Sequence, residues 1–141
     1  MSQGYLPPVD APSDEQIRAA YAAFGSEGRL ALEFAHPDLE WHNDPEWPGG
    51  GVHRGIEAVR RDLARQREAW GQARYEPVEI VRLDDGRILV LVDMRVTGKA
   101  SGAPVSVGGA HIFTLRDGKI AKVQAFTDRG RAFAAAGLGD G

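Results

Sequence analysis

The sequence contains no cysteine, no long hydrophobic run and no cluster of basic residues, and each absence excludes a class of protein. Without cysteine, a disulfide framework and thiol chemistry are excluded, and we expect a reducing, cytoplasmic location. No apolar stretch approaches the roughly 20 residues that cross a bilayer, and the N-terminus lacks the basic and apolar regions of a secretory leader. The charges are dispersed and sum to -3, so we expect neither nucleic acid nor a membrane as a partner.

The composition that remains is typical of one globular domain. A chain of 141 residues is long enough to bury a core without disulfides or metals. We expect an irregular, proline-rich arm over residues 1–12 and a single domain over residues 13–137. Inside the domain, the stretch from Asp44 to Val52 combines two prolines with three consecutive glycines. This composition indicates a mobile loop, with Trp47 as its apolar contact at the mouth of a cavity.

Helical spacing of apolar residues predicts four helices. The first begins at Ser13, which forms a capping box with Gln16. Further helices are expected from Glu27 to Ala35, from about Gly55 to Trp70, and in a short segment that ends at Ala136. On the third helix, the residues expected on the solvent side are Arg60, Arg61, Asp62, Arg65 and Glu68.

Alternating apolar residues predict five strands, four of them in two hairpins. The strands are expected at Asp38 to Asn43, Tyr75 to Leu83, Arg87 to Thr97, and on both sides of the turn Arg116-Asp117-Gly118 within Val105 to Asp128. An Asp-Gly turn between alternating apolar runs is a strong hairpin signal. A two-residue turn would swap the faces of the second strand, whereas a three-residue bulged turn keeps Lys122 and Gln124 off the apolar face. We expect the bulged turn.

One face of the predicted sheet is almost entirely apolar. It is expected to carry Val78, Ile80, Val92, Met94, Val107, His111, Phe113, Val123 and Ala125, and the opposite face Asp93, Arg95, Ile112, Lys122, Gln124 and Phe126. A slip of one residue would instead turn Asp93 and Arg95 inward. Because helices come first and a long meander of strands follows, we expect an α+β fold, a curved and mostly antiparallel sheet wrapped around the N-terminal helices.

Three segments of the chain resemble the SnoaL-like branch of the nuclear-transport-factor-2-like superfamily. They are HPDLEW after the first helices, VHRGIEAVRRDL at the start of the third helix, and the closing hairpin HIFTLRDGKIAKVQAFTD. The resemblance covers roughly residues 13–136 and implies a cone-shaped sheet with an internal cavity. Its members include polyketide cyclases, ketosteroid isomerases and limonene-type epoxide hydrolases, together with non-catalytic binding modules, so the fold alone does not imply one activity.

The catalytic residues of these relatives are only partly present. The epoxide hydrolases use a Tyr and an Asn on the early strand, and here the matching positions are Trp41 and Asn43. Their charged residues on later strands correspond to Val92, Met94 and Ala125. The polyketide cyclases place a His one strand before their catalytic Asp, and His111 occupies that position. The resemblance therefore implies a site from which the carboxylates have been lost.

His111 is the strongest candidate for a catalytic residue, with Asn43 or Tyr21 as the orienting donor. A neutral imidazole on an apolar strand face can act as an acid or base near neutral pH, or can be a core histidine held by Asn43, a carbonyl or water. The residues expected to line a ligand cavity are Tyr21, Phe24, Trp41, Trp47, Trp70, Val92, Met94, Phe113, Val123 and Ala125. Aromatic residues at such spacings also occur in ordinary cores.

Two functions remain open at this point. One is an enzyme that catalyses isomerisation, cyclisation or dehydration of a small apolar, polyketide-, steroid- or terpenoid-like ligand, with His111 as acid or base. The other is a non-catalytic module for ligand binding or dimerisation. No cofactor is predicted. His42, Asp44 and His53 superficially suggest a metal site, but alternation places His42 on the face opposite Asn43, and the glycine-rich loop separates His42 from His53, so we expect no metal. We also expect a homodimer through the outer sheet face, because no helix is predicted to cover Ile112 or Phe126.

Overall fold

The computed structural model describes residues 12–27, 34–46, 51–70, 73–97 and 104–138. Within these residues the helices are α1 (Asp14–Glu27), α2 (Ile56–Trp70) and α3 (Arg129–Ala135). The strands are β1 (Ala35–His42), β2 (Val52–Arg54), β3 (Ala73–Arg82), β4 (Ile88–Thr97), β5 (Pro104–Arg116) and β6 (Lys119–Phe126). They form one curved, unclosed sheet in the order β2-β1-β6-β5-β4-β3, in which only β1 and β6 pair in parallel. The predicted α+β class is confirmed.

The predicted capping box begins α1. The Ser13 N–H donates to Gln16 Oε1 at 2.9 Å, and the Gln16 N–H donates to Ser13 Oγ at 3.1 Å. Two orphan donors are thereby satisfied, and the helix then buries Ile17 and Tyr21 against the sheet. Of the short helix expected next, residues 28–33 lie outside the described residues.

The two ends of that expected helix have other structures. Glu27 still belongs to α1, and Ala35 already begins β1. Pro37 therefore lies inside a strand, where its missing N–H normally disrupts pairing. The β1–β6 register is irregular between Ala35 and Glu40, which accommodates the proline. A further difference from the expectation is the short strand β2, in a segment that was expected to be loop and helix start.

The sheet separates two hydrophobic cores. The inner core joins α1 and α2 to the concave face and contains Ile17, Tyr21, Ala35, Leu39, Val59, Leu63, Ile88, Val90, Val92, Phe113 and Val123. The outer core packs α3 against the convex face and contains Leu83, Leu89, Ala110, Ile112, Ala132 and Ala136. Val92, Phe113 and Val123 are buried as expected, while Met94 and Val107 are only half-buried.

The outer core corrects the expectation of an uncovered apolar face. Ile112 is 0% exposed because α3 lies over it, and Phe126 packs against the same core. The basis on which a homodimer was predicted is therefore wrong, since an intrachain helix already covers these side chains. Homodimerisation itself stays a prediction.

The closing hairpin differs from the expected turn while keeping the expected faces. Asp117 and Gly118 have φ of 55° and 77°, and Arg116 pairs directly with Lys119, so this is a two-residue turn. The bulge lies farther along, where the pairing shifts between Thr114 and Leu115. A two-residue turn alone would have exchanged the two faces of β6, and this bulge exchanges them back, so that Val123 pairs with Phe113 on the inner face.

A second bulge moves Val78 out of the inner face. The β3–β4 register shifts between Pro77 and Glu79, which leaves Val78 as the extra residue, 50% exposed. Beyond the bulge the alternation of β3 is inverted. Tyr75 consequently pairs with Met94 on the inner side of the sheet, a position that strict alternation from Ile80 would not predict.

Candidate functional site

A pocket of about 140 Å³ lies between the helices and the concave face of the sheet. Its lining is mostly apolar and it is partly open to solvent. Residues predicted to form a site line it together: Tyr21, Trp41, Asn43, Val92, Met94, His111, Phe113, Val123 and Ala125. Phe24 and Trp70 lie on α1 and α2, but their side chains lie outside the described residues, as do Trp47 and the rest of residues 47–50 of the expected mobile loop.

Aromatic rings surround His111 in the middle of β5. The ring of Tyr21 stacks on it at a centroid distance of 5.7 Å, and Trp41 meets it edge-on at the same distance. Tyr75 and Phe113 both lie 6.3 Å away. These rings come from α1, β1, β3 and β5, so His111 is where four elements of the chain converge.

The only side-chain hydrogen bond of His111 in the described part of the chain joins it to Tyr21. The Tyr21 hydroxyl lies 2.6 Å from Nδ1 of His111. Burial lowers the pKa of His111 to about 4, because the apolar surroundings disfavour the imidazolium. Burial, and then repulsion from Tyr75, raises the pKa of Tyr21 well above its usual value. Both members of the pair are therefore neutral near pH 7.

Asp44 contributes a buried carboxylate to the same pocket, 1% exposed. Arg131 of α3 donates to it from both terminal nitrogens, at 3.1 and 2.7 Å. The Thr127 N–H and hydroxyl donate at 2.6 and 2.9 Å, and the Glu46 N–H at 2.9 Å. Burial alone raises the pKa of Asp44, but the bonds from Arg131, Thr127 and Glu46 outweigh it and hold the pKa well below its usual range.

A second polar chain leads from the pocket to α2. The indole N–H of Trp41 donates to Oδ1 of Asn43 at 3.0 Å, and Nδ2 of Asn43 donates to Asp62 at 2.9 Å. Asp62 is 3% exposed, which corrects its expected place on the solvent side of the helix. Arg65 donates to its other oxygen at 3.1 Å, and His53 Nε2 lies 3.1 Å from that oxygen without hydrogen-bond geometry.

The sequence placed His111, Tyr21, Trp41 and Asn43 correctly on the inner side. Two polar residues of the pocket, Tyr75 and Asp44, were not predicted to line it. Tyr75 was missed because a bulge inverts its strand, a feature without a clear signal in the sequence. Asp44 was assigned to the loop, and its sequence neighbours gave no signal, because its burial depends on Arg131 and Thr127, which lie far away in the chain.

A metal ion needs several ligating side chains that converge on one point. Among the described residues, no group of three His, Asp or Glu side chains is arranged to hold an ion. His42 instead contacts Glu40 at 2.9 Å, and Asp44 forms an ion pair with Arg131.

No helix within the described ranges is both long and apolar enough to cross a bilayer.

The fold and the pocket agree with a sequence match to the SnoaL-like domain over residues 15–123. Because this match spans most of the chain, the protein belongs to the SnoaL-like family. Searching curated proteins gives no relative that matches this chain.

Solved structures with the same fold include proteins with small molecules bound. TerC, crystallised with polyporic acid, is 30% identical over 86% of this chain and 95% of its own, with a TM-score of 0.68. A nuclear-transport-factor-2-like protein from Burkholderia xenovorans LB400 is 26% identical over 86% of this chain and 93% of its own, with a TM-score of 0.63. A protein of ketosteroid isomerase-like fold from Catenulispora acidiphila, in complex with trimethylamine, is similar in fold alone, at 16% identity, 90% and 95% coverage and a TM-score of 0.68.

Proposed function

We propose that this SnoaL-like domain binds a small, uncharged, largely apolar ligand with a planar ring system, of polyketide-, steroid- or terpenoid-like kind. The observation that carries the proposal is the set of aromatic rings around His111, which offers flat apolar surfaces and one polar ring in a single pocket. The pocket is close in size to apolar cavities of about 150 Å³ that bind benzene, and its opening to solvent leaves space for a larger ring system to extend beyond it. TerC, which was crystallised with polyporic acid, supports a small organic ligand for this fold.

The charge of the pocket favours a neutral ligand. Asp44 is the only ionised side chain among the described lining residues, and Arg131 already neutralises it with two hydrogen bonds. A charged ligand would enter without a counter-charge, and burying an unpaired charge is costly. A ligand with a carbonyl or hydroxyl oxygen needs only one hydrogen bond, and His111 can supply it.

The Tyr21–His111 hydrogen bond determines which ring nitrogen meets the ligand. A buried phenol that stays protonated needs an acceptor for its O–H, and within the described residues Nδ1 of His111 is the hydrogen-bond partner of the Tyr21 hydroxyl. We infer that Tyr21 donates to Nδ1, so that the ring hydrogen of neutral His111 resides on Nε2. In the described part of the chain, no group hydrogen-bonds Nε2. We infer that Nε2–H donates to a ligand oxygen, while the stacked rings of Tyr21 and Phe113 contact its apolar part.

Acid–base catalysis is the second candidate, and the same hydrogen bond favours it. A neutral imidazole can polarise a carbonyl and support enolisation, isomerisation or dehydration. The step also needs a base for the proton on carbon. Asp44 accepts five hydrogen bonds and is poorly suited to that task. The pKa of His111, about 4, makes it a weak base as well. Binding therefore has the stronger support.

Binding is tested with three probes of one shape. We expect 2-naphthol to bind and to shift the ring resonances of His111 in NMR spectra. Naphthalene lacks the oxygen and should bind more weakly, and the 2-naphthoate anion should bind at least about tenfold more weakly than 2-naphthol. Equal affinity for 2-naphthol and 2-naphthoate, or no binding of either, would contradict the proposal.

Matched histidine variants connect the binding to the pocket. His111→Phe removes the donor and should abolish the difference between 2-naphthol and naphthalene. His42→Phe is the control, because His42 lies outside the described pocket lining and contacts Glu40. It should leave the affinities unchanged.

The catalytic alternative has its own assay. A β,γ-unsaturated ketosteroid is the substrate, because its conjugated product is followed by ultraviolet absorbance. If the protein is an enzyme of this kind, His111→Ala lowers turnover at least about a hundredfold. Asn43→Ala should have a smaller effect, through orientation. Full activity in His111→Ala would remove the residue from the mechanism.

A further inference from the structure

We propose that Asp62 is a positioning residue, which sets the orientation of the Trp41 indole beside His111 through the side-chain amide of Asn43. The path consists of Asp62 on α2, Asn43 directly after β1 and Trp41 within β1, joined by hydrogen bonds of 2.9 and 3.0 Å. It reaches the site because the indole meets the His111 ring edge-on at 5.7 Å.

The direction of the path follows from the chemistry of its ends. An ionised carboxylate can only accept hydrogen bonds, and an indole N–H can only donate one. The amide between them has one accepting and one donating end. Both contacts are satisfied only when Nδ2 of Asn43 faces Asp62 and Oδ1 faces Trp41, which is the observed arrangement. Asp62 thereby fixes the amide, and the amide fixes the indole.

The burial of Asp62 gives the path its energetic basis. A carboxylate 3% exposed on the helix face that packs inward is costly unless hydrogen bonds compensate it. Arg65 supplies one such bond, but its own side chain is 67% exposed and its contact leads to solvent. The bond from Asn43 leads to the pocket. A purely structural role, tying α2 to β1, would use the same atoms but would not require the indole to respond.

The test uses NMR signals that need no ligand. In Asp62→Asn the side chain keeps its shape but gains a donor, so the Asn43 amide is no longer held in one orientation. We expect hydrogen-exchange protection of the Trp41 indole N–H, assigned with Trp41→Phe, to fall about tenfold, and the His111 ring resonances to shift. Arg65→Gln is the matched control, because it removes a different bond to the same carboxylate and should leave both signals unchanged.

A second variant and a double variant make the result decisive. Asn43→Leu interrupts the path at another residue and must produce the same two changes, whether or not Asp62→Asn folds. In a Trp41→Phe background, Asp62→Asn should have no further effect on the His111 ring. An unchanged indole and an unchanged His111 ring in either folded variant would overturn the proposal and leave Asp62 as a structural tie.

The inference rests on the proposed function only in one respect, namely that a change in the orientation of the Trp41 indole would alter ligand binding. If 2-naphthol binds, Asp62→Asn should weaken its binding, and Arg65→Gln should not. Failure of every probe to bind would count against the proposed function, but the indole and imidazole signals would still decide the role of Asp62.

Discussion

Gly109 lies directly against the backbone of Phe126, so close that a Cβ on Gly109 would be 2.5 Å from the Phe126 carbonyl oxygen. No real Cβ tolerates that distance, and backbone held in a sheet cannot move aside as a flexible side chain can. The adjacent Gly108 is different, because a Cβ there would first meet the Arg129 guanidinium at 3.4 Å. The two consecutive glycines therefore have different roles, and only Gly109 is required by close approach of two strands.

Alanine substitutions should separate the two glycines. We expect Gly109→Ala to lower the free energy of unfolding by about 2 kcal/mol through overpacking. Gly108→Ala should stay within about 0.5 kcal/mol of the wild type. Urea denaturation followed by circular dichroism measures both. Equal effects of the two substitutions would show that β5 and β6 are farther apart than the structure has them.

The Asp44–Arg131 pair should contribute far more to stability than a surface pair. Asp44→Asn removes the charge that Arg131 and the Thr127 N–H approach, and we expect a loss of about 2 kcal/mol, because hydrogen bonds to a buried charged group contribute more than neutral ones. Asp38→Asn is the control, since Asp38 is 76% exposed beside Arg116 and should cost less than about 1 kcal/mol. Thermal and urea unfolding compare the two variants. A loss below that of Asp38→Asn would contradict the importance of the buried pair.

The lowered pKa of His111 predicts a specific dependence of stability on pH. Between about pH 6.5 and about pH 4 the unfolded chain binds a proton on this histidine and the folded protein does not. This contribution to stability is complete above pH 6.5 and is lost as the pH falls toward 4, in total about 3 kcal/mol.

His111→Phe is the variant that isolates this contribution. The difference in unfolding free energy between wild type and His111→Phe should change by about 3 kcal/mol between pH 7.5 and pH 4. Subtracting the two curves removes the contribution of the other titrating groups. A difference that does not change with pH would mean that His111 is not shielded from solvent.

The Tyr21–His111 hydrogen bond predicts a tautomer. Nitrogen NMR of the imidazole should find the ring hydrogen of His111 on Nε2, because we infer that the Tyr21 hydroxyl donates to Nδ1, its only hydrogen-bond partner in the described part of the chain. Tyr21→Phe keeps the stacked ring and removes the donor, so the second tautomer should become populated and about 1 kcal/mol of stability should be lost. Tyr75→Phe is the control with the same chemical change on a neighbouring ring. A ring hydrogen on Nδ1 in the wild type would reverse the inferred direction.

Much of the site follows from local patterns in the sequence. Alternation along β5 places His111 and Phe113 on one face, and the same reasoning places Trp41 of β1 and the following Asn43 inward. The capping box at Ser13 gives the start of α1. These features involve residues within a few positions of each other, so the sequence contains the information. The cytoplasmic location and the homodimer stay predictions.

What alternation could not provide is the effect of an extra residue in a strand. The bulge at Val78 turns Tyr75 inward and completes the rings around His111. The bulge in the closing hairpin does the opposite, because it compensates a tighter turn and leaves the predicted faces intact. A bulge is selected by the packing of distant elements against the sheet, and alternating residues on one strand do not indicate it.

The sequence by itself determined the α+β class, the family resemblance and the inward position of His111, since these depend on periodicity and short motifs. Only the tertiary structure decided that α3 covers Ile112, that Asp62 is buried and that Arg131 neutralises Asp44. Each of these contacts joins residues far apart in the chain. The free energy of burying a polar or apolar group depends on which distant side chains meet it, and that is fixed only when the sheet and helices have packed together.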